Sequence, residues 1–283
     1  MRFATSVRKM WLALVCAIAS GRRGVVDSVT PRWDMPVHYH INETSLGSDS
    51  AAALQSVLAA AAAITAKAPG VTFLRSDVPP FVDVRASAER CSSAVGRTAP
   101  GAQVIHLTPR CATLKGVVIH ELMHTLGFSH EQLHPNRSTF IVVSDDPALY
   151  DSAWQEQWRS PLPNASATPF DPCSIMMYPV NSADWRDVAV NYTEAGYAAA
   201  AACVVANARH YEYEGSAAAF VRRDPANAHQ MHGLSQGDVM MLNALYPPTP
   251  SLLVVDPTLF FWVLLIILVV GVTAVIWSRG PAL

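Results

Sequence analysis

Apolar and polar positions alternate with a period of two in "RWDMPVHYHI" (32–41), the pattern of a strand with one buried face. The next stretch, "SDSAAALQSVLAAAAAITAKA" (48–68), becomes a long alanine-rich run. Ser48 or Asp49 can cap it as a helix, and Pro69 and Gly70 end it. Three more strands are predicted in "VTFLRS" (71–76), "FVDVRAS" (81–87) and "AQVIHLT" (102–108), with turns around Pro79-Pro80 and Pro100-Gly101. A helix follows from about Leu114. This order of strand, helix, strands and helix indicates an α+β layer. Pro, Ser and Asn make 135–183 irregular, and 191–232 has no clear pattern, so we treat the latter as an insertion. "GLSQGDVMMLNALYP" (233–247) predicts a closing helix behind a capping box of Ser235 and Asp238.

Two apolar runs show neither period. Residues 10–19 follow Arg2, Arg8 and Lys9 and end with Ala17 and Ala19 in a small-residue cleavage pattern, so 1–19 is expected to be an export signal. "TLFFWVLLIILVVGVTAVIW" (258–277) carries no charge over a length that crosses a hydrocarbon core of about 30 Å. It predicts one C-terminal transmembrane helix, with 249–257 as linker and 278–283 as cytoplasmic tail. The protein is then a single-pass type I membrane protein with an extracellular or lumenal domain. Cys16 leaves with the signal, and Cys91, Cys111, Cys173 and Cys203 remain as an even number for an oxidising compartment. Sequons at Asn42, Asn136, Asn164 and Asn191 permit glycosylation. A net charge of −2 with scattered arginines excludes a basic nucleic-acid surface.

The chemistry concentrates in "HELMHTLGFSH" (120–130). Residues four apart share one face of a helix, so His120 and His124 can aim at one point. A continuing helix would swing the third histidine away. Gly127 can adopt the left-handed conformation that ends a helix, which folds the chain back and lets His130 complete a three-histidine set. Catalytic zinc commonly takes three protein ligands and keeps a position for water, and Glu121 would stand beside that water as general base. An ordinary amphipathic helix also produces a bare H-E-x-x-H by chance. The longer H-E-x-x-H-x-x-G-x-x-H matches the metzincin form of the motif and is far more specific.

These residues resemble the astacin family of zinc endopeptidases, a metzincin branch. The likeness continues through Glu131 and Gln132, through "SIMMY" (174–178), which is similar to the family's Met-turn, and through "CSSAVGR" (91–97) and the closing helix, covering about 33–246. It implies a metzincin-type α+β domain over 24–248 with two subdomains around a cleft. The upper would hold the sheet and the zinc helix, the lower the Met-turn and the last helix. It further implies one catalytic zinc on His120, His124 and His130, with Met176 beneath it, Tyr178 beside it to hold an oxyanion, and a Cys91 to Cys111 disulfide. Protein or peptide substrates would lie in the cleft, and the membrane is the second partner.

The departures are as specific. His134, Asn136 and Ser138 stand where family members usually carry arginine and two aspartates, and Met177 replaces a histidine. Gly70 and Pro248 stand about where a second family disulfide would be, which leaves Cys173 and Cys203 as a candidate replacement pair. The resemblance also implies that the mature N-terminus is buried against Glu131. Between the expected signal cut and the domain lies only "SGRR" (20–23), so cutting after Arg23 would free Gly24 for that pairing, and the enzyme would be active on export. The competing reading is a catalytically silent surface glycoprotein that keeps the fold for binding or adhesion. Intact Glu121 and three intact histidines oppose it.

Overall fold

The computed structural model describes residues 31–144, 158, 169–178, 190–207 and 233–248. The leader, dibasic stretch, linker, span and tail expected from the sequence lie outside them. The chain divides into two compact units, Met1–Pro247 and Pro248–Leu283, and the fold described is that of the first.

Strand β1 (Val37–Ile41) buries Val37, Tyr39 and Ile41 and turns His38 and His40 outward, as its alternation requires. It lies beside β2 (Phe73–Arg75) and β3 (Phe81–Ala86), both parallel to it, and β3 pairs in parallel with β5 (Ala102–Leu107). The two-residue β4 (Ser92–Ser93) closes the order β2-β1-β3-β5-β4 and is antiparallel to β5. Its shortness hides it from any period-two reading. Its consequence is a sheet edge at the cleft.

The helix expected at 48–68 starts earlier, as α1 (Glu43–Leu46) and a 3-10 turn at Gly47–Asp49 before α2 (Ser50–Lys67). The capping side chain is that of Asn42, which accepts from the Ser45 N–H, while Asp49 makes no side-chain cap bond. On α2, Ala53, Val57, Ala60, Ala61 and Ile64 recur at helical spacing on one buried face. Among the described residues one helical stretch, Glu43–Lys67, is long and apolar enough to cross a membrane by length and composition. Its buried face belongs to the main core.

That core joins the sheet and α2 to Ile119, Leu122 and Met123 of α4 (Lys115–Thr125), which follows the short α3 (Pro109–Ala112). It also takes in Ile175 and Met176, together with Met241, Leu242 and Leu245 of α6 (Gln236–Leu245). The last helix thus shares this core with the Met-turn residues Ile175 and Met176 as well as with the sheet. A smaller core unites Ile141, Trp158, Phe170, Met177, Tyr192 and Ala200. It sits by the hairpin of β6 (Ile141–Val143) and β7 (Val190–Tyr192) and by α5 (Glu194–Asn207), so the stretch read as patternless has regular structure over 190–207.

Gly70, one of the two positions where the resemblance would put a second disulfide, lies against the backbone of Tyr246 and Pro247. A Cβ built on Gly70 would lie 2.0 Å from the Tyr246 carbonyl oxygen and 2.7 Å from the Pro247 carbonyl carbon. Gly70→Ala should therefore destabilise by about 1–3 kcal/mol, the usual cost of overpacking, read as a lowered thermal midpoint. An unchanged midpoint would mean that the two segments part freely.

The buried Asp83 makes a second local test. It accepts from His40 Nδ1 at 2.9 Å and from Arg85 Nε at 2.5 Å. Burial pushes its carboxyl up, but the bonds from His40 and Arg85 outweigh burial and the net shift is downward from the ordinary 3.8. A depressed carboxylate stabilises the fold above its unfolded value, and that contribution is lost as pH falls through the folded one. Urea midpoints from about pH 6 to pH 3 should converge for wild type and Asp83→Asn only at the acid end. A gap that stays constant across the range would remove the carboxylate's charge from the account.

Candidate metal centre

The end of α4 shapes the site. Gly127, at φ +103°, donates to the His124 carbonyl at 2.8 Å, and Phe128 donates to the Met123 carbonyl at 3.1 Å. This is the paired bonding of a Schellman cap, with Phe128 and Met123 both in the core. Only a residue without a Cβ takes that φ at no cost, so the turn expected at Gly127 forms there. It brings His130 back over the helix.

The three imidazoles converge. His120 Nε2 and His124 Nε2 lie 3.3 and 3.0 Å from His130 Nε2, and the ligand atoms of all three lie within 4.8 Å of one another. His120 Nδ1 is 2.7 Å from the Ile175 carbonyl oxygen and His124 Nδ1 is 2.8 Å from that of Phe128. A carbonyl oxygen only accepts, so each Nδ1 carries the hydrogen and each Nε2 of the neutral ring is a bare lone pair. Burial keeps those rings neutral, pushing His120 down to about 4 and His124 down to about 3. His130 can donate to at most one of the two facing lone pairs. The donor set therefore suits a cation, and three imidazole nitrogens suit zinc.

Beside the triad, Glu121 is 4% exposed and its Oε2 has no hydrogen-bond partner. Burial pushes its carboxyl up to about 8, against a smaller opposing contribution from the nearby Ser93 backbone. Tyr178 lies tilted against His130, with 4.1 Å between ring centroids and 52° between planes, and burial, with a smaller contribution from Glu121, pushes its phenol up to about 12. The triad, Glu121, Tyr178, Arg90 and residues of β4 line a cleft of about 350 Å³. Sequence-predicted residues thus meet in one place.

Several supports were not legible as site residues. Asp238 was read only as half of the capping box, which does form with Ser235. Its carboxylate also accepts from Ser174 Oγ at 2.6 Å and the Ile175 N–H at 2.9 Å, so it ties the last helix to the Met-turn that holds His120. Arg137, two thirds of the way through "HPNRST", reaches the Gln132 and Trp158 carbonyls and braces the loop behind the third ligand. Tyr246 donates to the Leu126 carbonyl at 2.9 Å, at the end of the metal helix.

Glu131 is buried and accepts from the Asp171 N–H at 2.8 Å, while its own N–H donates to the Met176 carbonyl at 2.9 Å. Burial, then the nearby Asp171 and Asp238, push its carboxyl well up. Met176 lies in the main core. His134 is fully buried, with its ring edge to face on Phe170 and its Nδ1 accepting from the Asn136 N–H at 2.9 Å. Cys91 and Cys111 form a disulfide, and Cys173 is disulfide-bonded as well.

The family model for Astacin, a peptidase family, matches residues 25–195, more than half of the chain. The chain belongs to the astacin family. Among relatives, the zinc metalloproteinase dpy-31 of Haemonchus contortus is 41% identical over 101 residues, which are 35% of this chain and 17% of that protein. An astacin-like metalloendopeptidase of Mus musculus is 35% identical over 97 residues, 34% of this chain and 22% of its own length. The chain thus spans only about a fifth of the curated astacin relatives it matches. Among solved structures, high choriolytic enzyme 1 is a hatching-enzyme zinc protease of the medaka Oryzias latipes. It superposes with a TM-score of 0.54 at 20% identity over 81% of this chain and 96% of its own, a likeness of fold.

Proposed function

We propose that this astacin-family chain is a zinc endopeptidase that hydrolyses peptide bonds of protein substrates. The carrying observation is Glu121 Oε2, a buried carboxylate oxygen without a partner in the cleft that holds the three Nε2 atoms. His120, His124 and His130 would hold the metal. When bound, zinc supplies a Lewis acid that acidifies water and polarises the scissile carbonyl. Glu121 takes a proton from the attacking water and passes it to the leaving amine nitrogen. Tyr178, kept protonated, donates to the developing oxyanion. The edge strand β4 aligns an extended peptide beside these groups. Incubating the purified ectodomain with a peptide library tests this. Cleavage abolished by a chelator is the expected result, and binding without cleavage by the zinc-loaded protein would favour the adhesion reading.

The same proposal places the domain on the extracellular or lumenal side, held by a span at 258–277. Two disulfide-bonded sites and the four sequons support an oxidising, glycosylating route. Retention of the chain in alkali-washed membranes checks the anchor, and release into the wash would refute it. Cys203 is the proposed partner of Cys173, to be recovered as one linked peptide in an unreduced digest. The freed ammonium of Gly24 is the proposed counter-charge for Glu131, whose buried carboxylate surroundings favour a cation. N-terminal sequencing decides: a mature, fully active chain starting at Ser20 would sink that pairing.

A further inference from the structure

Two hydroxyls outside the metal set join the cleft edge to the metal helix. Thr125, the last residue of α4, is fully buried, and its Oγ1 lies 3.1 Å from the Glu121 carbonyl oxygen and 3.0 Å from Ser93 Oγ. Ser93 Oγ is also 3.2 Å from the Ala94 carbonyl. A hydroxyl has one hydrogen and can accept as well, so two hydrogens must serve three contacts. The two shortest are satisfied together by one relay, in which Ser93 Oγ donates to Thr125 Oγ1 and Thr125 Oγ1 donates to the Glu121 carbonyl.

Ser93 also lines the cleft beside the carboxyl of the same glutamate. The strand that carries it has little else of its own. It pairs with β5 through Ser92↔His106 and Ser93↔Ile105 only. Beyond that it is pinned on one side by the Cys91–Cys111 disulfide and on the other by Gly96, which donates to the His124 carbonyl at 2.8 Å. Gln103 Nε2 adds bonds to the Ala94 and Gly96 carbonyls at 3.3 and 2.8 Å. Between those pins, the hydroxyl relay is the contact that sets how far β4 stands from the last turn of α4.

We propose that Ser93 and Thr125 are positioning residues for Glu121. Their relay holds β4 against the last turn of α4 and so fixes the cleft wall beside the Glu121 side chain. This rests on the proteolytic reading above and deepens it.

The test uses the full chain loaded with zinc. Thr125→Val and Ser93→Ala should each lower kcat about tenfold with KM and zinc content unchanged. Thr125→Ser should keep most of the activity. The double variant should be no worse than either single one, because both break the same relay. A merely structural role would lower the melting temperature of Thr125→Val and leave kcat alone, which would overturn the proposal.

Amide hydrogen exchange at Ser93 reads the relay without any activity. Exchange should accelerate at least about tenfold in Thr125→Val relative to wild type. Equal exchange in the two overturns the relay even if peptides are cleaved. A wild-type protein that cleaves nothing but shows the exchange difference would fail the proteolytic reading while keeping the relay. If Thr125→Val does not fold, Ser93→Ala on the half-buried strand carries both measurements.

Discussion

Glu121→Ala is expected to lower peptide turnover at least about a hundredfold, or about 2.7 kcal/mol of activation free energy, while zinc stays bound. The substitution removes a buried carboxylate whose Oε2 has no partner, and it leaves all three Nε2 atoms in place. His124→Ala separates the two effects, since it deletes a ligand and should lose metal together with activity. The measurement is kcat on one cleaved peptide beside metal content of the purified protein. Turnover within about twofold of wild type, with zinc present, would take the proton-transfer role away from Glu121.

Asp238→Ala should destabilise the domain by about 3 kcal/mol or more. Ser174 Oγ, the Ile175 N–H and the Ser235 N–H would each lose a buried acceptor, at about 1–3 kcal/mol per unsatisfied group before relaxation. The damage should reach the metal, because the Ile175 carbonyl is what orients His120. Loss of such an outer partner typically weakens metal binding about tenfold or more. Asp238→Asn keeps one accepting oxygen and should fall between. Denaturant midpoints and zinc titration measure both effects, and an alanine variant within about 0.5 kcal/mol of wild type would show that water replaces the carboxylate freely.

The residues that meet the metal were readable because helix geometry and one glycine decide them. Spacing of four joins His120 to His124, and Gly127 at φ +103° returns His130. The capping box of Ser235 and Asp238 was readable for the same local reason. What escaped was long-range. Asp238 acts on residues 63 and 64 positions away, Tyr246 on a carbonyl 120 positions away, and no local period carries such pairings. The strand at Ser92–Ser93 is too short for a period at all. The long helix starts at Ser50 behind Asp49, one of the two expected caps, and what the pattern missed is the short helix capped by Asn42 before it.

The alanine helix between β1 and β2 has a consequence for how membrane crossings are counted along the chain. Read by hydropathy alone, Glu43–Lys67 counts as a crossing, and one extra crossing reverses the side assigned to everything after it. His120 would then face away from Tyr39. That is impossible here, because β1 before the helix is hydrogen-bonded to β2 and β3 after it, and a sheet cannot be shared across a bilayer. Parity therefore has to be counted without this segment, and the metal-binding face lies on whichever side receives the first strand.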